Sequence, residues 1–453
     1  MIVDRETLAD LEIFACRSGG QPVIAYLDRC RTEGGADELR TLIAKGPGHD
    51  VPIRELQEVT RFFYDHGQGL TFPVDRKAAR ALEQYLASNF TGIDLPLSWS
   101  RHLQSFILRY RCPEMYQFCH SGIQETMKTL AAAVAFVTAV TEAGESPPAV
   151  RALAGEFLRL WQEIGGPGLA ARCQDPSTTE VFVIDHLLRS QNRDNLRRML
   201  RLLYRLDAHV GMAIATREHG LVFPTIVEGP DRRIEIEGLY HLFLARPVRN
   251  DFRLDGAQNL LFLTGPNMAG KSTYMKAVGI AVILAHIGMG VPAAAMSVSP
   301  IDYLFCELSM HDDIRLGISG FLAEVLRVQR ILQFCAGRFK LLVIIDEIFK
   351  GTNVHDAYAC SKLVITGLAR LRDHFFLISS HLLELEADLR PFRNIRFRCF
   401  DAALQNGALS FSYRIADGVS PTRVGLQLLA EHGIIDMFRE LERTPSPAAA
   451  ERP

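Results

Sequence analysis

The stretch LLFLTGPNMAGKST, residues 260–273, decides the fold of this chain. An apolar run of strand length leads into glycines spaced as G-x-x-x-x-G-K-[ST], and a helical pattern follows over residues 274–286. Glycines let consecutive backbone N–H groups curl around an anion, and the next helix directs the positive end of its dipole to the same point. A chance match in a glycine-containing turn is the alternative, but the strand and helix on either side favour a phosphate-binding loop.

The residue types of this loop match the chemistry of a bound nucleotide. Lys271 is expected to reach the outer phosphates, and the hydroxyl of Ser272 to hold Mg²⁺. Glycine and small residues around them leave the backbone free to approach the phosphates. The residues predicted to bind ATP in this loop are Gly265, Pro266, Asn267, Met268, Ala269, Gly270, Lys271, Ser272 and Thr273.

Length and composition limit the class of protein. A chain of 453 residues predicts two or three domains, and a net charge of −2 requires any nucleic-acid contact to come from local patches. The nine cysteines include no C-x-x-C, as expected of reduced cytosolic thiols, and for Cys112, Cys119 and His120 buried thiols are favoured over zinc. The N-terminus does not read as a signal peptide, and no run of sequence reaches membrane-spanning length. A cytoplasmic protein with no membrane contact is expected.

The hydrophobic pattern changes near residue 220. Before that point, apolar residues recur every three or four positions, which predicts long helices over 98–111, 117–142, 149–164 and 185–215. Beyond it, the pattern predicts strands at 233–236, 260–264, 340–345, 374–379 and 409–415, the middle ones buried on both faces. We therefore expect a helical domain over 1–218, an α/β nucleotide-binding domain over 219–443 and a disordered tail over 444–453.

A basic ridge is predicted on the last long helix of the first domain. Its arginines recur every four residues and so form one slowly drifting row along a regular helix, with Arg198 beside them. A solvated face is one interpretation, and a stripe that follows phosphates or faces a partner is the other. The ridge consists of Arg189, Arg193, Arg197, Arg201 and Arg205.

Two further apolar runs end in residues that can act on a nucleotide. The run over 341–345 ends in Asp346, placed to help hold Mg²⁺, and Glu347, placed to deprotonate the attacking water. The run LISS ends at His381, where a parallel strand faces the ligand crevice. The alternatives are solvated acids and a structural histidine. Together with the phosphate loop, the acids predict ATP hydrolysis.

These motifs, taken in order, resemble those of the MutS family of DNA mismatch repair ATPases. The similar segments are GPNMAGKSTYMK at 265–276, HIGMGVPAAAMSVSP at 286–300, GISGFLAE at 317–324, DEIFKGTNVHDA at 346–357 and SSHLLEL at 379–385. The resemblance implies an ABC-like P-loop ATPase domain preceded by a helical core and lever domain. It also implies a γ-phosphate switch at His381 and a Ser319 that approaches the ATP of the opposite subunit. A homodimer on double-stranded or branched DNA, with ATP and Mg²⁺ as cofactors, is the expected assembly.

The chain also departs from the family pattern, and these departures restrict the functions that the resemblance implies. No segment resembles the mismatch-reading and connector domains, so direct mismatch recognition is not expected, and the helical region is short for a full DNA clamp. Phe349 and Lys350 stand where repair members often carry glycine and arginine. The expected function is a DNA-associated ATPase that moves a helical lever, and the alternative is an ATP-switched protein-interaction module. An ABC or SMC relative is disfavoured because no LSGGQ precedes Asp346.

Overall fold

The computed structural model describes most of the chain. Its described residues are 1–16, 19–46, 51–67, 70–88, 100–143, 146–308, 320–337, 339–349, 352–405, 408–420, 433–434 and 437–438. The strands are β1 Ile2–Val3, β2 Thr225–Ile226, β3 Arg233–Leu239, β4 Asn250–Asp255, β5 Leu260–Thr264, β6 Ala295–Val298, β7 Tyr303–Glu307, β8 Leu341–Asp346, β9 Phe375–Ser379, β10 Ile395–Gln405 and β11 Ala408–Asp417.

The helices account for most of the first half of the chain. They are α1 Arg5–Asp10, α2 Val23–Leu27, α3 Glu33–Lys45, α4 Ile53–His66, α5 Arg76–Ala87, α6 Ser100–Arg111, α7 Pro113–Glu142, α8 Pro148–Glu163, α9 Gly166–Arg172, α10 Thr178–His186, α11 Arg193–Glu218, α12 Lys271–His286, α13 Gly320–Cys335, α14 Val354–Leu368 and α15 Leu385–Leu389. A π-helical turn, Leu187–Gln191, joins α10 to α11.

The chain forms two compact units. One consists of Met1–Ile13, Pro224–Ile283 and Pro292–Pro453, and the other of Phe14–Phe223 and Leu284–Val291. The sequence pattern places residues 1–13 in the helical domain, but β1 pairs in parallel with β7, and the Thr7 hydroxyl accepts a 2.8 Å bond from the Cys306 N–H. Backbone pairing between strands so far apart in sequence leaves no local signal, so the pattern of residues 1–13 does not reveal it.

The α/β unit is built on a seven-stranded sheet in the order β1-β7-β8-β9-β5-β10-β11. The strands run parallel except for the antiparallel pair β10 and β11. Every residue of β5, β8 and β9 is buried, as predicted from their continuous apolar sequence. Leu341, Val343 and Ile345 share one core cluster with residues of α13 and α14. A second, four-stranded sheet has the order β2-β6-β3-β4.

The helical unit is organised around α7 and α11. Ile123, Leu130 and Val137 lie on α7 at helical spacing and are fully buried in the main hydrophobic cluster. By length and composition α7 is apolar enough to cross a membrane, against the expectation from sequence, but half of its most apolar window is buried inside the protein. We therefore describe α7 as the core helix of this unit.

A short loop fixes α3 against α11. The Asp207 carboxylate accepts bonds from the N–H groups of Arg31 and Thr32, at 3.0 and 2.8 Å, and from the Thr32 hydroxyl at 2.6 Å. Thr32 also caps α3 by accepting from the Gly35 N–H. A Cβ on Gly35 would lie 2.2 Å from Asp207 Oδ2, so glycine is required for this close approach.

Candidate active site

Three neighbouring strands bring the predicted site residues to one edge of the main sheet. The phosphate loop follows β5, Asp346 ends β8, and Ser379 ends β9, which lies between the other two strands. Because all three strands are parallel, their carboxyl ends meet at the same edge, where open α/β sheets bind ligands. The register places Ser379 directly opposite Asp346 on one side and Leu263 on the other.

The phosphate loop needs its two glycines. Gly265 and Gly270 have φ angles of 139° and 104°, which side chains with a Cβ rarely adopt. A Cβ on Gly265 would also lie 2.5 Å from the Phe400 carbonyl oxygen. Helix α12 begins at Lys271, so its unpaired N–H groups and the positive end of its dipole lie at the loop. The sequence prediction of strand, loop and helix is confirmed here.

Lys271 is held beneath the loop. Its Nζ atom donates to the Gly265 carbonyl at 2.6 Å and to the Pro266 carbonyl at 3.3 Å. The side chain is buried, whereas Asn267 and Ser272 are exposed on the loop. A buried cation at a helix N-terminus provides a site for a polyanion.

Ser272 and Asp346 form a pair of oxygen ligands suited to Mg²⁺. The Ser272 hydroxyl donates to Asp346 Oδ2 at 2.5 Å, and the Ser379 hydroxyl donates to Oδ1 of the same carboxylate. Within the described ranges, no group of three His, Cys, Asp or Glu side chains forms a metal cage. Mg²⁺ prefers one or two protein oxygens together with phosphate and water, so these two residues fit that ion.

Glu347 and His381 form the second hydrogen-bonded pair of the site. The His381 Nε2–H donates to Glu347 Oε1, while Lys271 Nζ lies 3.4 Å from the same nitrogen. The backbone of Glu347 has a φ of 57°, and its N–H donates to the Ser379 carbonyl at 3.2 Å. Left-handed backbone in a residue with a side chain is strained and is common at active sites. The turn thus directs Glu347 toward the end of β9.

Phe349 continues this strained turn. Its φ is 63°, at the position where the resembling family often has glycine. The ring is buried and lies 5.6 Å from the ring of Phe321 at the start of α13. Aromatic packing therefore stabilises a backbone conformation that glycine adopts without strain.

A cavity of about 380 Å³ opens beside the phosphate loop. Met268, Gly270 and Thr273 line one side, and His241 and Tyr413 are also part of its wall. Burial, followed by the charge of Lys276, lowers the pKa of His241 to about 4, so its ring is neutral at pH 7. The volume lies within the range of small-molecule sites.

The sequence did not predict that Tyr413 lies beside the phosphate loop. Its φ is 54°, and its carbonyl accepts a 2.9 Å bond from the Asn250 amide, whose oxygen in turn accepts from the Ile415 N–H at 2.8 Å. With these two hydrogen bonds to Asn250, the Tyr413 ring lies 3.4 Å from the position that a Cβ on Gly270 would occupy. No motif around Tyr413 indicates such a contact, and only the pairing of distant elements creates it.

The structure thus brings the loop residues 265–273, Asp346, Glu347 and His381 to one site. Ser319 and the predicted tail over 444–453 lie outside the described residues. In the other unit, Cys112 is exposed, while burial, followed by the charge of Asp185, raises the pKa of Cys119 to about 12.

The predicted basic ridge is wrong at its first member. The π-helical turn interrupts the helix expected over 185–215, and Arg189 is buried, donating to Asp185 at 2.8 and 2.6 Å. Its guanidinium also lies over the rings of Tyr85 and Phe118. Arg193 donates to the Leu86 carbonyl at 2.9 Å. A π turn contains one extra residue, which rotates the side chains before the turn relative to those after it. Arginines four residues apart therefore do not continue one row across the turn.

The fold and the site define a P-loop nucleotide-binding protein. Residues 261–437 match the family model of MutS domain V, which is a P-loop ATPase domain. The DNA mismatch repair protein MutS of Shouchella clausii (strain KSM-K16) is 28% identical over 268 residues, which are 55% of this chain and 30% of that relative. Over these residues the chain is similar to the MutS family. The match spans less than a third of the length of the relative.

Proposed function

We propose that this protein is a MutS-like ATPase that hydrolyses ATP with Mg²⁺ and uses the reaction to move its helical unit. The observation that supports the proposal is the arrangement around Asp346, which accepts hydrogen bonds from Ser272 of the phosphate loop and Ser379 of β9. Lys271 and the N-terminus of α12 would bind the phosphates, and Ser272 and Asp346 would hold the ion. Bound Mg²⁺ would neutralise charge on the phosphates and orient them.

The remaining residues are proposed to act in hydrolysis and in binding the adenine base of ATP. Glu347 would take a proton from the attacking water, and His381, which contacts Glu347 and lies near Lys271, would respond to the γ-phosphate. The cavity beside Gly270 would accommodate the adenine base. Tyr413 would offer it a flat aromatic surface and Met268 a flexible apolar one. His241, neutral at pH 7, adds a hydrogen-bonding group without a charge.

We further propose that two copies associate around ATP. Helix α13 follows the segment that contains Ser319, and it carries exposed apolar side chains at Val325, Leu326 and Leu332. Covering this face in a dimer would bring Ser319 to the nucleotide of the partner, as the family resemblance implies. DNA mismatch repair, or related DNA maintenance, is the proposed setting, since the similar relative is named for it.

An ATP-switched protein-interaction module is the second candidate. The burial of Arg189, together with the pairing of Arg193 to a backbone carbonyl and Arg198 to Glu156, leaves fewer cations of the ridge for DNA. The discriminating experiment measures binding to matched, mismatched and branched DNA and to RNA, with and without ATP and Mg²⁺. Salt-dependent DNA binding that changes with ATP supports the first function, and no salt-dependent binding to any nucleic acid supports the second.

The ATPase proposal itself is tested by turnover and assembly. Wild-type protein is expected to hydrolyse ATP only with Mg²⁺, and Lys271→Ala to lose ATP binding. Sedimentation of the Glu347→Gln variant with ATP and Mg²⁺ should show a dimer, and Leu326→Ser should weaken it. Absence of ATP binding by the wild-type protein would overturn the proposal.

A further inference from the structure

Helix α6 makes both polar and apolar contacts within the helical unit. Ser105 is fully buried, and Leu108 packs against the main hydrophobic cluster. Two exposed side chains also reach α10: the His102 ring lies 2.9 Å from the Thr179 hydroxyl, and Arg109 donates to the Thr178 hydroxyl at 2.9 Å. The Arg109 guanidinium also lies 4.8 Å from the centre of the Tyr116 ring. Polar contacts to α7 and α10 therefore hold the helix in place.

The opposite side of α6 is apolar and exposed. Leu103, Phe106, Ile107 and Tyr110 are 57%, 55%, 42% and 73% exposed, and the Phe106 and Tyr110 rings lie 4.9 Å apart. Spacings of three and four residues place all four side chains on one helical stripe. We call these four residues the α6 apolar stripe. A stripe of this kind is ordinarily the face that a helix buries, and its exposure marks an interaction surface.

The charged side chains that α6 itself carries beside the apolar stripe are of one sign. At about 100° per residue, Arg109 lies on one border of the stripe and Arg111 on the other. Residues 102–112 contain no aspartate or glutamate. An occupant of this surface therefore needs apolar side chains in the middle and carboxylates on both sides.

We propose that the α6 apolar stripe docks an acidic amphipathic helix of a partner protein. Apolar residues at positions i, i+3, i+4 and i+7 of the partner would pack on Phe106 and Tyr110, and its flanking acids would face Arg109 and Arg111. A second copy of α6 would bring arginines together. A membrane would gain only four apolar side chains, and burial on that scale gives marginal anchoring. The proposal goes beyond the ATPase function and does not depend on it.

The test uses the full-length protein and a fluorescent synthetic helix with leucines at that spacing and glutamates on both flanks. Fluorescence anisotropy should show saturable binding that weakens with salt. A Phe106→Ser/Tyr110→Ser variant should bind at least about tenfold more weakly, because two exposed aromatic anchors are lost. Gln104→Ser, an exposed position off the stripe, is the matched control and should bind like wild type.

Charge reversal makes the test specific. Arg111→Glu should weaken binding of the glutamate peptide and strengthen binding of a matched peptide in which lysines replace the glutamates. Circular dichroism and unchanged ATP turnover of each variant would show that the fold is intact. Equal binding of both peptides, or of neither, overturns the proposal. So does tighter binding to phosphatidylserine vesicles than to the peptide, or self-association that depends on Phe106 and Tyr110.

Discussion

His381 donates a hydrogen bond from Nε2 to Glu347 Oε1, joining the end of β9 to the turn that follows β8. Since Glu347 is the proposed base, His381 restricts where its carboxylate points. Replacing His381 with Asn should lower ATP turnover by about tenfold to a hundredfold, the usual effect of removing a group that orients a ligand in a reactive site. ATP affinity should change little. Turnover at the wild-type rate would contradict this role and favour a structural histidine.

The corrected ridge leaves Arg197, Arg201 and Arg205 as the candidates for phosphate contact. If they bind DNA, changing all three to Gln should flatten the dependence of log affinity on log salt by up to about three units, since fewer counterions are released. Arg159→Gln, on the exposed side of α8, is a control for general loss of charge. Equal slopes for the triple variant and wild type would remove the ridge as a DNA contact.

His209 makes the stability of the helical unit depend on pH. Burial, followed by the charge of Arg205, lowers its pKa to about 3, and its Nδ1 lies 2.9 Å from the Thr60 hydroxyl. The unfolded chain takes up a proton below about pH 6.5 and the folded chain does not, so stability is lost as the pH falls from 6.5 toward 3. Between pH 7.5 and 5.5 this amounts to about 1.4 kcal/mol.

Urea unfolding of wild type and His209→Gln at those two pH values measures this dependence. The variant is less stable at pH 7.5 because it loses packing and the contact to Thr60, but the difference from wild type should shrink by about 1.4 kcal/mol at pH 5.5, since glutamine does not titrate. A difference that stays constant between the two pH values means that His209 is not held neutral.

Gly35 tests the contact between α3 and α11. Gly35→Ala places a methyl group against Asp207 and should reduce the free energy of unfolding by about 1–3 kcal/mol, the usual effect of overpacking a buried site. Gly155→Ala is the matched control, because Gly155 lies inside α8 and a Cβ at that position would meet open space. It should be neutral or stabilising by up to about 1 kcal/mol. Equal effects of the two substitutions would contradict the close approach to Asp207.

The sequence was most informative where one local pattern determines both structure and chemistry. The apolar runs before Gly265 and Asp346 predict buried parallel strands, and parallel strands bring their ends together, so Lys271, Ser272 and Asp346 could be placed in one site. The same rule brings Glu347 and His381 to that edge of the sheet, but the hydrogen bond between them was not predicted.

What could not be predicted depends on pairing or geometry without a local signal. The pairing of β1 with β7 joins strands about 300 residues apart in sequence, with Ile2 beside Tyr303. The hydrogen bond from Asn250 to the Tyr413 carbonyl likewise joins two elements that are distant in sequence. The π turn that buries Arg189 contains no glycine or proline, so no residue in it marks an interruption and a regular helix is the natural expectation.

The central claim is that Glu347 is the base of an ATP-hydrolysing site, and single-turnover hydrolysis by Glu347→Gln tests it most directly. The variant should bind ATP with wild-type affinity, because Lys271 and the loop are untouched. Its hydrolysis step should slow by roughly two to four orders of magnitude, the usual contribution of a general base. Hydrolysis at the wild-type rate with ATP fully bound would contradict the account.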